Sequence, residues 1–566
     1  MSAILGAEGA GKSSLLHIIG GQKLSSGAEV SGKVYFNEKS MDEGREQAWQ
    51  KCAFVEALDS HYRDLTVREV ASYALELRNH EEDRTVEVFE KTLAQTLTLL
   101  QLTELQNTKV KYLTAGETRR LSIAEEIVVG PMLVLLDEPI TGLDARESSI
   151  IITQTLREMV NQDRTVVCTL HQPSAAVFAV FDTLVLLSKG YLVYMGPADK
   201  AVDFFISSPS LEISNTNFKN PAEFLLGVSS GLIVNGTGGT INVDTLEKHY
   251  IASSAFGYYN GMETLRSSDK SGQHDVLRFS HGSGGDQNSE WRCASFDGAA
   301  PGSFVRRSMN YSKAHENPSY WDLLFLQYYV PFMSFFDDMR HVDWVANTRR
   351  SSILLRRASR VLFQRPRMVA FSTVTHVATA LVMVYIVIDG VENSAAVLTP
   401  TAAFGGFLLM MMNIQFAFFL FNNQKVFLRE HSRGLYSTFL RWLVEPLPLL
   451  LLRSFQGFLY AVVIHEGLGL QGGDVGIYFV LMTWFMALAC TMIIETICYT
   501  LKDIRDVYGA IIVCALVLFL FSGMFFKADT LPRWMAPWLP SISIIRWYSQ
   551  GIINNEFEDN SEVGNK

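Results

Sequence analysis

Three textures of hydrophobic and polar positions succeed one another along the chain. From residue 1 to about 228, short unbroken apolar runs alternate with helical periodicity, and the runs end on polar residues, as in "MLVLLDEP" and "RTVVCTLHQPS". A strand buried on both faces of a parallel sheet shows no alternation and presents chemistry at its C-terminal end. The pattern predicts an α/β domain built on a parallel sheet with helices. From 229 to 347 the chain turns to "NGTGGT", "SSDKSGQHD" and "SHGSGGDQNSE". Such stretches bury too little apolar surface to offset chain entropy, so a partly disordered linker is expected.

Long apolar segments follow. Residues 368–388 hold no Asp, Glu, Lys or Arg. As a helix they extend about 31 Å, enough to cross the hydrocarbon core of a bilayer. Further spans are expected at about 397–421, 443–464, 475–499 and 507–526. One such segment fits a buried helix of a soluble protein; several in succession predict an all-α transmembrane domain over 348–557, with a polar tail at 558–566. The basic stretch 349–367, "RSSILLRRASRVLFQRPR" in its core, reads as an interfacial amphipathic helix.

Charge then orients the spans. Lys425, Arg429 and Arg433 follow the second span and Lys502 and Arg505 the fourth, whereas 389–396 and 465–475 hold no Lys or Arg. The positive-inside rule places the N-terminus in the cytosol and the C-terminal end outside it. Arg453 and Glu495 fall inside expected spans, where an ionised group costs about 2.5–3.5 kcal/mol. Both are expected to face the bundle interior or a partner subunit, with snorkelling from a helix end open for Glu495.

Composition sharpens this division. The chain has 566 residues, too many for one ordinary domain. It is 48% hydrophobic and 19% charged, below the roughly 25% charged content of soluble domains. A net charge of -10 excludes the basic footprint of a nucleic-acid binder. Six cysteines without CxxC spacing point to neither a zinc site nor a disulfide framework. No basic segment followed by a short apolar one opens the sequence, so no cleavable signal peptide is read.

The candidate chemistry begins at residue 6. Gly6-Ala7-Glu8-Gly9-Ala10-Gly11-Lys12-Ser13 fits G-x-x-x-x-G-K-S between a short apolar strand and a helix that begins near Ser14. Backbone N–H groups of such a loop cradle phosphates, its lysine reaches the β and γ oxygens, and its serine ligates Mg²⁺. The run "LVLLDEP" ends on Asp137 and Glu138. Asp137 is placed to hold Mg²⁺ through water, and Glu138 to act as general base toward an attacking water.

Further segments carry a family resemblance. "LTAGETRRLSI" at 113–123, 14 residues before Asp137, resembles the signature motif of ATP-binding cassette proteins through Thr114, Ala115, Gly116 and Glu117. Thr141-Gly142-Leu143-Asp144 resembles their D-loop, and Thr169-Leu170-His171 their histidine switch. "VYMGP" (193–197), "NPAEFLL" (220–226), "VFLREHSRGLYS" (426–437) and the stretch 521–557 resemble the G subfamily, the White and pleiotropic-drug-resistance group of half-transporters. The resemblance implies ATP and Mg²⁺, a γ-phosphate sensor at His171, and a homodimer or heterodimer in which each ATP lies between one chain's P-loop and the other's signature. It also implies ATP hydrolysis coupled to export or translocation of a lipid-like or amphipathic substrate, at the plasma membrane.

The sequence departs from that family in several places. It starts on the strand entering the P-loop, where such domains carry an antiparallel β-subdomain, and it stops in "EDNSEVGNK" before the family's sixth span. Truncation at both ends is the expectation drawn. Ala57 stands where the family has Gln, Ala115 replaces a signature glycine, and Glu8 puts a carboxylate in an anion-binding loop. One weakened composite site is expected. A catalytically degenerate partner or regulatory subunit of a heterodimer is the alternative.

Overall fold

A computed structural model describes residues 1–21, 34–36, 39–40, 52–78, 85–208, 211, 213, 219–231, 242–253, 274–280, 290–297, 344–388, 395–470, 473–501, 503–526, 531–532, 534–535 and 538–557. Most of the expected linker, the loop 389–394, Lys502 and the tail 558–566 lie outside them. The chain divides into two units, Met1–Leu326 and Gln327–Lys566.

The first unit is organised by a six-stranded sheet. Its strands are β1 (Ser2–Gly6), β4 (Cys52–Val55), β5 (Leu133–Leu136), β6 (Thr165–Thr169), β7 (Thr183–Ser188) and β8 (Tyr191–Pro197), in the order β4-β5-β6-β1-β7-β8. Two short antiparallel pairs are separate from it: β2 (Tyr35–Phe36) with β3 (Lys39–Ser40), and β9 (His274–Ser280) with β10 (Glu290–Asp297). The pairings β4–β5, β5–β6, β6–β1 and β1–β7 are parallel, while β8 runs antiparallel to β7. The expected parallel sheet is therefore a mixed one. The reversal is local: Lys189 (φ 47°) and Gly190 (φ 91°) make a two-residue turn with both φ values positive, the geometry of a tight hairpin.

Apolar runs supply the core. Every residue of β1 and β5 is buried, and Ile4, Leu16, Ile19, Phe54, Leu135, Val167, Leu187 and Met195 pack into one cluster. Helix α1 (Lys12–Ile19) follows β1, and α2 (Ala115–Ile127) leads toward β5. Helix α3 (Val243–Ala252) lies in the range read as linker, yet its Tyr250 joins the sheet's core cluster. Val243, Leu246 and Tyr250, at helical spacing, bury one face of it, a signal hidden in the polar composition around it.

In the second unit, α4 (Trp344–Phe363) carries the basic stretch and α5 (Pro366–Ile388) follows. The remaining helices are α6 (Ala395–Met412), α7 (Ala417–Ser432), α8 (Thr438–Val444), α9 (Leu447–Leu468), α10 (Asp474–Thr500), α11 (Ile504–Leu520) and α12 (Ile544–Phe557). Among the described residues four stretches are long and apolar enough to cross a membrane: Pro366–Val387, Thr399–His431, Thr438–Leu468 and Asp474–Thr500. The fifth expected span is represented by α11, whose 17 residues extend about 25 Å. Its helix ends at Leu520 in a run of turns, six residues before the expected limit at 526.

Buried polar groups tie these helices together. Arg453, 2% exposed, donates to Ser372 Oγ (3.1 Å) and Gln456 Oε1 (2.7 Å), and its guanidinium lies 4.3 Å from the Phe416 ring centre. Glu495 is buried too. Arg357 of α4 makes a bidentate pair with Glu430 of α7 (2.6 and 2.9 Å), and the Tyr436 hydroxyl donates to the same carboxylate. The helix read as interfacial thus commits one of its cations to the protein interior.

Candidate nucleotide site

The phosphate loop connects β1, a central strand, to α1. A Cβ at Gly6 would meet the Leu187 carbonyl oxygen at 2.5 Å and the Ala10 Cβ at 3.0 Å, so the loop closes against β7 only without one. Gly11, at φ 93°, caps α1 in a left-handed conformation that opens the helix N-terminus. Ala10 is buried beneath the loop, Gly9 and Glu8 are exposed, and Ala7, Gly11, Ser13 and Ser14 are half-buried. The Glu8 carboxylate therefore lies at the surface and does not fill the cradle.

Lys12 is buried, and its ammonium donates to the Gly6 and Ala7 carbonyls at 2.9 and 3.1 Å. Burial lowers its pKa from the ordinary lysine value, while Glu138, Asp137 and Glu8 act to raise it. A partly desolvated cation surrounded by acids is held ready for phosphate oxygens.

Asp137 and Glu138 follow β5 directly. The Asp137 Oδ1 accepts from the Ser13 hydroxyl at 3.0 Å and from the Thr169 hydroxyl at 2.6 Å. A hydroxyl and a carboxylate brought together from two strand ends form the hard oxygen set that Mg²⁺ takes. Thr169 also accepts from the Glu138 N–H at 2.8 Å. Glu138 itself sits at φ 46°, rare for a residue with a Cβ and frequent where strain serves a site.

The other sequence-read residues do not join the hydrogen bonds of this centre among the described residues. His171 is exposed just beyond Leu170, whose N–H reaches the Ile4 carbonyl, so it stands beside the end of β1. Thr114 caps α2 in a reciprocal box: its hydroxyl accepts from the Glu117 N–H (3.2 Å) and the Glu117 carboxylate accepts from the Thr114 N–H (2.8 Å). Ala115 is exposed at the first turn, and Gly116 packs beneath Glu147, which pairs with Arg120 at 2.7 Å. Asp144 caps the next short helix, accepting from the Glu147 N–H, while Gly142 (φ 79°) and Leu143 form the turn before it. Ala57 is exposed after β4.

Two residues to which the sequence reading gave no place in this centre belong to it. Thr169 had one legible sign, a hydroxyl closing an apolar run. Arg119 had none, since a basic residue within a helical run reads as a solvated helix face. It is 3% exposed and reaches the backbone around Asp137 and Glu56.

Fold and site together define a P-loop nucleotide-binding domain on the same chain as an apolar helical domain. Comparison with known proteins places it further. The family description "ABC transporter" matches residues 1–141, and "ABC-2 type transporter" matches 350–557 and, in a second version, 171–296. ABC transporter G family member 38 of Oryza sativa subsp. japonica is 34% identical over 242 residues, covering 41% of this chain and 15% of its own. ABC transporter G family member 7 of Arabidopsis thaliana is 37% identical over 238 residues, covering 40% and 31%. The broad substrate specificity ATP-binding cassette transporter ABCG2 of Mus musculus is 26% identical over 582 residues, covering 98% and 78%. The chain belongs to the ATP-binding cassette transporters, in their G family. It spans less than a third of the length of the two plant relatives.

Proposed function

We propose that this chain is an ATP-hydrolysing subunit of a dimeric membrane transporter that exports or translocates a lipid-like or amphipathic substrate. The observation that carries the reading is the convergence of Lys12 and Ser13, at the start of α1, with Asp137 and Glu138, after β5, on a chain whose described residues also include four long apolar stretches. In this reading Lys12 and the N–H groups of the loop hold the nucleotide's phosphates. The Ser13 hydroxyl, and Asp137 through water, would hold Mg²⁺, which neutralises phosphate charge. Glu138 orients a water and takes its proton, and His171 reads the γ-phosphate.

A second copy, or a related half-transporter, completes each site by bringing Thr114–Glu117 over the phosphates. The helix-start N–H groups at Ala115 and Gly116 are then the available donors, because the Thr114 N–H is taken by Glu117. The nucleotide-binding unit faces the cytosol, in accord with the Lys and Arg bias of the loops, and the membrane is the plasma membrane, as the family resemblance implies. A catalytically degenerate partner is the second reading, favoured by the exposed methyl groups of Ala57 and Ala115 where the family carries Gln and Gly.

Purified full-length protein tests this. Lys12→Ala should weaken ATP binding by roughly tenfold or more. Glu138→Gln should keep ATP binding and lose turnover by roughly 10²–10⁴-fold, the usual worth of a general base. Turnover undiminished in Glu138→Gln would remove Glu138 from that role.

A further inference from the structure

Arg119 makes an unusual set of contacts for a residue on α2, the helix that begins within the signature. Its Nη2 donates to the Asp137 carbonyl at 2.7 Å and its Nε to the Pro139 carbonyl at 3.3 Å, one on either side of Glu138. Its Nη1 turns to the segment after β4, reaching the Glu56 carbonyl at 2.5 Å, the Ala57 carbonyl at 3.4 Å and Asp59 Oδ1 at 3.0 Å. The side chain is 3% exposed, so these bonds are made away from competing water.

Glu138 is the residue such a clamp would serve. Its φ of 46° is costly for a residue with a Cβ and persists only where neighbours over-determine it. Its own N–H is bonded to Thr169 Oγ1 and its carbonyl accepts from the Thr141 N–H at 3.3 Å. Arg119 supplies the remaining constraint by fixing the carbonyls before and after it.

The far side of the guanidinium matters equally. Ala57 has no side chain with which to engage the site, yet its carbonyl is tied to Glu138's backbone through one rigid group. Asp59 is held in turn by the Ser122 hydroxyl (2.5 Å), which is 2.8 Å from His61 Nε2, and His61 Nδ1 is 3.2 Å from Glu125 Oε1. Helix α2 thereby presents Arg119, Ser122 and Glu125 as one anchored edge toward residues 56–61.

We infer that Arg119 is the positioning residue for Glu138: it holds that carboxylate in its left-handed backbone geometry and couples it to the Glu56–Asp59 segment. The inference rests on the base role proposed for Glu138. A planar guanidinium is required, because three nitrogens bond carbonyls in two directions at once and a lysine ammonium cannot span both.

The test uses the full-length protein with ATP, measuring nucleotide affinity, KM and kcat. Arg119→Gln should lower kcat by roughly ten- to a hundredfold while nucleotide affinity and KM stay within about twofold. Arg119→Lys should recover part of kcat, and adding Arg119→Gln to Glu138→Gln should slow turnover no further. A Glu138-dependent turnover that Arg119→Gln leaves intact overturns the inference about Arg119 alone. Loss of affinity in step with kcat, or additive loss in the double variant, overturns it too, since either marks a role in folding or in another step. Turnover that Glu138→Gln leaves intact overturns the base role and Arg119's with it. Should Arg119→Gln not fold, Arg119→Lys carries the test: reduced kcat with intact affinity supports the inference, and unchanged kcat overturns it.

Discussion

At the scale of single residues, Ala115 is the most informative departure. It occupies the first turn of α2, exposed, with the Thr114–Glu117 capping box around it. Alanine is a good residue for that helix start, so the substitution does not disturb the domain's own structure. Its consequence falls on approach from outside: a Cβ stands where a partner's phosphate would come close to backbone. Loss of one charge-assisted hydrogen bond costs about 1.5–3 kcal/mol. In the proposed homodimer, Ala115→Gly should therefore raise ATPase activity by severalfold or more. A rate unchanged by the substitution would mark Ala115 as neutral and remove the weakened composite site from the proposal.

Between elements, the pair that matters is Arg357 with Glu430. It joins α4 to α7 through two hydrogen bonds, with Tyr436 completing the carboxylate's shell. Both side chains are nearly buried, at 4% and 10% exposure. Removing one member of such a pair strands the other charge, at a cost of about 3–5 kcal/mol, whereas removing both costs far less. Arg357→Ala should lower the thermal unfolding temperature of the detergent-purified protein clearly, and Arg357→Met combined with Glu430→Gln should restore part of it. Equal melting of wild type and Arg357→Ala would show that α4 is held by its apolar face alone.

For the whole molecule, the open quantity is the path of the chain across the membrane. Among the described residues four stretches have spanning length, and α11 is a 17-residue helix at the lower edge of what crosses a bilayer, roughly 17–25 residues. If α11 crosses, the end of the chain lies outside the cytosol; if it does not, the end lies inside. The distribution of Lys and Arg favours crossing, because Lys502 just before α11 and Arg505 in its first turn assign that end to the cytosolic side under the positive-inside rule. An epitope tag after Lys566 should be labelled in intact cells, and a tag within 229–347 only after permeabilisation. The opposite pattern would remove either the fifth crossing or the orientation.

The sequence by itself determined what depends on local pattern. Unbroken apolar runs ending in Asp137, Thr169 and Gly6 located the strand ends, because a fully buried strand needs apolar residues on both faces. The glycine spacing of residues 6–11 located the phosphate loop, because only backbone without Cβ can close against β7 there. Length and apolarity located the membrane helices, because a bilayer imposes a minimum run. Tertiary structure alone decided what depends on residues far apart in sequence. It drew Tyr250 into the core from a polar stretch. It also brought Arg119 to the carbonyls around Glu138, across 18 and 20 residues of sequence. A guanidinium bonding to backbone leaves no pattern in the partner's side chains, so no reading of residue types could have found it.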